Sequence, residues 1–195
     1  RGSGGPFDSF RTNPIVPFRK NKISKSKNLS KDLKIAIGLL RGFANGTLDV
    51  AQVFDAELWG KYYAVASIWG GWHSIQWRNI RFYYNPITAK LEPIAFDEQL
   101  KYFKRKSFEP TSNKVPLAAT IIGGDPQIKF FYEKTLAKLE KEAQDNITVE
   151  WVRPLQKRNL RILHKEYPLL GGINFFGLAK AASESLKRSK SHYQY

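Results

Sequence analysis

The sequence contains no cysteine and no methionine. Without thiols there is no disulfide and no thiolate metal site, and the redox compartment stays open. Without methionine there is no initiator residue, so the chain is expected to be a processed product or part of something longer. No apolar run approaches the roughly 20 residues of a membrane-spanning helix, and no transmembrane segment is expected. The opening Arg1-Gly-Ser-Gly-Gly-Pro lacks the apolar core of a secretory signal and reads as linker. Histidines number only 3, at His73, His164 and His192, too scattered to forecast a zinc site. Walker A, G-x-S-x-G and H-E-x-x-H motifs are missing, as are RRM, zinc-finger and helix-turn-helix patterns. No internal repeat is visible.

Acidic residues are also scarce. Asp and Glu number 17 against 32 Lys and Arg, a net charge of +15. The basic residues cluster over Arg19–Lys34, Lys101–Lys106, Arg153–Lys165 and Lys187–Lys190. Such charge favours polyanions, from nucleic acid to nucleotide phosphates, so non-specific polyanion binding is expected. Equally, it can be a solvated surface that selects no partner.

What the chain has in quantity is apolar and aromatic side chains: 42% hydrophobic, with 13 Phe, 9 Tyr and 5 Trp among 195 residues. That suffices for the core of one domain. Residues 1–28, rich in Gly, Pro, Ser and Lys, read as an irregular strap or linker. Residues 29–186 read as a single helical domain, and 187–195 as a basic tail. Ser30 caps a helix over about 31–44, with Leu33, Ile37, Leu40 and Ala44 on one face. Asp49 or Asp55 opens the next, on which Leu58, Tyr62, Val65 and Trp69 share a face and which Gly70-Gly71 ends. This helix is apolar on more than one side and should be central. After a loop, Asn79–Tyr84 and Lys90–Phe96 read as two strands joined by a turn at 85–89, and Pro93 suits an edge or bulge.

The segment 98–124 is loop-rich and ends in an apolar stretch, Leu117–Ile122. Asp125-Pro126, an N-cap followed by Pro at the first helical position, starts a helix to about Gln144. Ile128, Phe131 or Tyr132, Thr135 or Leu136, and Leu139 face inward. An amphipathic segment runs from about Val149 to Tyr167, and a short helix lies near Gly177–Lys187. The fold class is therefore α+β, mainly α: a helical lobe around a small antiparallel hairpin, 79–97.

Centring the turn near Ile87 or Thr88 sets Asn79 opposite residue 96 or 97. The Asn79 amide and the Asp97 carboxylate then meet at the open end of the hairpin. Two oxygen donors beside backbone make a hard-cation site of the Mg²⁺ type, a device kinases use to hold metals on nucleotide phosphates. The bland alternative is that Asp97 caps a turn and Asn79 satisfies backbone groups. Trp59, Trp69, Trp72 and Trp77 crowd the intervening loop, as core or as a wall for a base or sugar ring. Asn28-Leu-Ser, Asn45-Gly-Thr and Asn146-Ile-Thr are formal glycosylation sequons.

The run Val53-Phe-Asp-Ala-Glu-Leu-Trp-Gly-Lys-Tyr-Tyr-Ala-Val, then Trp72-His73, Arg78-Asn79-Ile-Arg-Phe-Tyr-Tyr-Asn-Pro and Leu91-Glu-Pro-Ile-Ala-Phe-Asp97 resembles the spore-coat protein H (CotH) kinase family over about Asn13 to Tyr132. That resemblance implies an atypical protein-kinase-like fold using ATP and a divalent metal, Mg²⁺, to phosphorylate protein. It implies that Asn79 and Asp97 bind metal and nucleotide. It further implies a protein substrate or larger assembly as partner, and a cell-envelope, spore-surface or secreted location.

Two departures from the family pattern stand out. In the family a catalytic Asp precedes the Asn, but no Asp lies between Gly70 and Asn79. His73 stands roughly there instead and is the candidate base; it can accept a proton but carries no fixed negative charge at neutral pH. If His73 does not serve, the carboxylates expected nearest are Glu57, Glu92 and Glu98. The chain also shows no Gly-rich loop followed by a Lys-bearing strand, so it corresponds to the C-terminal lobe. Three functions follow: a CotH-like kinase lobe, a catalytically degenerate relative kept for binding or structure, or a basic nucleic-acid-binding domain.

Overall fold

The structure is a computed structural model that describes residues 14–71, 73–77, 79–96 and 116–191. It is mainly helical, with one two-stranded antiparallel sheet. In chain order the elements are α1 (Lys20–Ser24), α2 (Lys27–Ala44), α3 (Val50–Val53), α4 (Ala56–Trp69), β1 (Arg81–Asn85), β2 (Lys90–Ile94), α5 (Pro116–Gly124), α6 (Pro126–Gln144), α7 (Asn146–Leu163) and α8 (Phe175–Ser191).

Helix α4 is the centre. Asp55 caps it by accepting from Leu58 N at 2.8 Å, and Gly70, at φ 68°, ends it in the left-handed conformation that glycine adopts without penalty. Its inward face is Trp59, Gly60, Tyr63, Ala64 and Ile68. On the face shared by Leu58, Tyr62, Val65 and Trp69, Leu58 and Val65 are exposed and Tyr62 and Trp69 half-buried. The helix is apolar nearly all round, so periodicity alone could not choose the buried side.

Helix α6 packs on α4, and α8 packs on α6. The α4–α6 approach is set by Gly60, where a Cβ atom would stand 2.7 Å from both the Ile128 carbonyl oxygen and Tyr132 N. Ile128, Tyr132 and Leu136 fill the α6 side of the core, as their spacing predicts. Asp125 caps α6 from Gln127 N at 2.8 Å, with Pro126 in the first turn. Helix α8 meets α6 through small residues, Ala179, Ala182, Ser185 and Ser189, and Ser189 Oγ donates to Glu133 Oε1 at 2.8 Å.

Several boundaries differ from the sequence reading. Helix α2 starts at Lys27 under Ser26, whose side chain accepts from Leu29 N. Ser30 lies inside the helix and donates to Ile23 O at 2.8 Å, tying α1 to α2. Part of the segment read as irregular is thus helical, at Lys20–Ser24. Asp49 and Asp55 both open helices, α3 and α4. The apolar stretch Leu117–Ile122 is helix α5. Helix α8 runs from Phe175 to Ser191, absorbing the start of the expected basic tail. Its buried face is Ala and Ser, which a hydrophobic-periodicity count does not register.

Candidate functional site

The hairpin is joined to α4 at one carbonyl. Leu91 O accepts from Asp55 N at 3.1 Å and from Trp59 Nε1 at 2.8 Å. Phe54 forms an isolated parallel bridge with Leu91. Aromatic rings continue the joint: Phe54 meets Trp59 edge-on at 5.3 Å, and Phe82 lies 5.7 Å from Trp59 and 6.1 Å from Trp77. Trp59 is wholly buried and Trp69 and Trp77 partly buried against the core, so these three pack. Trp72 lies outside the described residues.

The strand ladder pairs Arg81 with Ile94 and Asn85 with Lys90. It is shorter than the expected 79–84 and 90–96. Asn79 N and Ile80 N both bond Gln76 O at 2.9 Å, which makes residues 79 and 80 the close of a turn rather than the start of a strand. The observed pairing stops at Arg81–Ile94, so residue 79 lies before the ladder and the expected pairing of Asn79 with residue 96 or 97 is not among the strand pairs. Asp97 and Glu98 lie outside the described residues.

The loop from Gly71 to Ile80 is anchored from within. Ile75 is fully buried, and Ser74 Oγ donates to Gly71 O at 2.7 Å. On this frame Asn79 and His73 come together. Asn79 Nδ2 lies 3.0 Å from His73 Nε2 and 3.0 Å from His73 O. A carbonyl and an imine nitrogen both accept, so the amide donates to both, and His73 carries its ring proton on Nδ1. With Nδ2 so held, Oδ1 is the atom through which Asn79 would meet a cation.

Arg81, immediately beyond this loop, carries its guanidinium over the Phe96 ring at 4.8 Å and near the Phe18 ring at 5.7 Å. Its Nη1 also donates to Ile80 O at 3.1 Å. A fixed cation thus stands at the open hairpin end, beside the residue that precedes Asp97. The sequence reading gave Arg81 no role. Its position two residues after Asn79, at the first paired residue of β1, was the available signal.

Of the reserve carboxylates, Glu57 and Glu92 are among the described residues. Glu57 sits in the first turn of α4, about 18 Å along the helix from its end at Trp69, at 1.5 Å per residue. Its hydrogen bond and charge pairing with Lys61, at 2.5 Å, lower its pKa. Glu92 accepts from Asn85 Nδ2 at 2.6 Å, toward the closed end of the hairpin. Neither faces the His73–Asn79 loop.

Among the described residues no group of three or more His, Asp or Glu is placed to hold a metal ion. Mg²⁺ does not require one, since it keeps several waters and takes one or two protein oxygens beside phosphate. The Asn79 amide oxygen is one such donor, and Asp97, the second donor expected from the sequence, lies outside the described residues. Of the basic clusters, the one at Arg19–Lys34 is concave. A depression of about 550 Å³ is lined by Ser24, Lys25, Lys27, Ser30, Lys31 and Lys34. Among the described residues no helix is long and apolar enough to cross a membrane.

Comparison with known proteins finds no matching family model, no similar curated sequence and no similar solved structure.

Proposed function

We propose that this chain is a CotH-like kinase C-terminal lobe that binds ATP with a divalent metal and serves phosphate transfer to protein. The observation that carries this reading is the two-point grip of His73 on the Asn79 amide, at the entry to the hairpin whose other strand runs out toward Asp97. A metal ligand is useful only where its oxygen is already fixed, because ordering it on binding costs affinity. Asn79 and Asp97 are the ligands in this proposal; Mg²⁺ held there would offset the charge of the nucleotide phosphates. Arg81 adds a permanent positive charge to the same end.

His73 is a positioning residue in this scheme. Its Nε2 lone pair is engaged by Asn79, so accepting a substrate proton there would break one of the two bonds that hold the metal ligand. This favours the second reading, a relative that keeps nucleotide binding and has lost transfer. Mg²⁺ with a non-hydrolysable ATP analogue should raise the melting temperature of the wild type, and Asp97→Asn should abolish the rise. A phosphate-incorporation assay on acidic and basic acceptor proteins then separates kinase from binding relative. An unchanged melting curve at saturating ligand removes both readings and leaves the basic depression at Lys25–Lys34 as the functional surface.

A further inference from the structure

Helix α7 is the least covered long element of the molecule. Among its described side chains Val149 alone is buried, with Val152, Gln156 and Leu160 half-buried. Gln156 Oε1 accepts from Ile173 N at 2.8 Å, and His164 Nε2 donates to Leu170 O at 2.8 Å. These bonds hold the helix and the turn that follows it as one projecting ridge, along which residues 161–171 are all exposed.

The ridge is apolar where it should be polar. Trp151 is 71% exposed, Ile162 62% and Leu169 98%. Trp151, Leu155 and Ile162 recur at helical spacing, on the side away from the buried Val149. Arg158 falls within that stripe, seven residues after Trp151 and four before Ile162. Arg161, Lys157 and Arg153 step away on one flank, and no acidic residue occurs between Trp151 and Lys165. An exposed apolar stripe marks an interaction surface, and the excess of positive charge along it, Arg153, Lys157, Arg158, Arg161 and Lys165 against Glu150 and Glu166, favours an anionic partner.

We propose that α7 and the turn to Leu170 lie on the surface of a bilayer containing anionic lipid. A helix that exposes Trp, Leu and Ile beside Lys and Arg seats its apolar side chains at the acyl boundary, while its long cationic side chains reach up to the headgroups. A bilayer accepts a projecting ridge without a matching groove, whereas an acidic protein would have to supply one. The surface is separate from the hairpin loop, so membrane attachment is independent of nucleotide binding.

The test is co-sedimentation with vesicles of phosphatidylcholine alone and of phosphatidylcholine mixed with phosphatidylserine. Two double variants accompany the wild type, Trp151→Ser with Ile162→Ser and Arg158→Glu with Arg161→Glu. All four side chains are exposed, and circular dichroism checks that the fold is kept. The wild type should bind the anionic vesicles and leave the neutral ones largely free. Each double variant should lose binding at least about tenfold, and added salt should weaken the wild type. Equal binding by wild type and variants, or none to anionic vesicles, overturns the proposal. So does a dimer in sedimentation velocity that Ile162→Ser dissolves, which would seat a second copy on this ridge. Polyglutamate bound as tightly as vesicles, and lost in the same variants, would assign the ridge to an acidic protein.

Discussion

The indole of Trp59 donates to the carbonyl of Leu91 at 2.8 Å, across 32 residues of sequence, and both side chains are fully buried. This bond, with Asp55 N on the same oxygen, fixes the hairpin on the first turns of α4. Trp59→Phe keeps an aromatic ring but removes the donor and part of the volume. It should cost about 2–4 kcal/mol, from a cavity and one lost hydrogen bond. Urea unfolding measures this; a cost below about 0.5 kcal/mol, within the spread of surface substitutions, would show that the joint does not hold the hairpin.

Gly60 is the second point of close contact. In an ordinary helix Gly→Ala stabilises by about 1 kcal/mol. Here the added methyl would meet the backbone of Ile128 and Tyr132 at 2.7 Å, atoms that cannot rotate away. Gly60→Ala should therefore destabilise, by about 1–3 kcal/mol net. A raised melting temperature would mean that α4 and α6 are further apart than described.

Tyr63 gives a dependence on alkaline pH. Burial pushes its phenol well above the usual 10.0, with the neighbouring Tyr62 adding to the effect. The unfolded chain therefore loses this proton first, and folding stability falls as pH rises past about 10. Its hydroxyl has no hydrogen-bond partner among the described residues. Tyr63→Phe should be neutral or stabilising by up to about 1 kcal/mol near neutral pH, and should flatten the alkaline limb of the melting-temperature profile. A loss of stability in the variant at neutral pH would point to a partner for the hydroxyl.

The His73–Asn79 contact separates two roles. Asn79→Ala should abolish the thermal shift given by Mg²⁺ and the ATP analogue. His73→Ala leaves Asn79 its second acceptor, the backbone carbonyl of residue 73, so the shift should shrink without vanishing. If there is turnover, His73→Ala should act mainly on KM for ATP. A fall of about 10²–10⁴ in kcat at unchanged KM, the usual worth of a positioned acid–base group, would instead make His73 the base.

The elements with strong local signals were legible in the sequence. Asp125-Pro126 and Gly70-Gly71 punctuate helices through caps and a left-handed residue, which depend on neighbours alone. The hairpin register followed from its turn, because side-chain alternation leaves no freedom to slip. The start of α2 was misread because Ser26 and Ser30 are both competent caps, and the choice is made by the Ser30 bond to Ile23 in another helix. The buried side of α4 could not be chosen from the sequence for a related reason. Trp59 and Leu58 are equally apolar, and only Gly60 against α6 decides which turns inward. At the site, the sequence put His73 in the loop and Asn79 at the start of the strand, and it is the turn closed on Gln76 O that brings the two side chains together.

The meeting of α6 and α8 through Ala179, Ala182, Ser185 and Ser189 sets a ceiling on side-chain size rather than a demand for oiliness. Small side chains are the requirement there, and at Ser189 the hydroxyl is also used, by its bond to Glu133. Any branched or aromatic newcomer would wedge the two helices apart. The C-terminal part of this chain is therefore constrained by volume, and its relatives would keep small residues at those four places while the exposed positions between them drift.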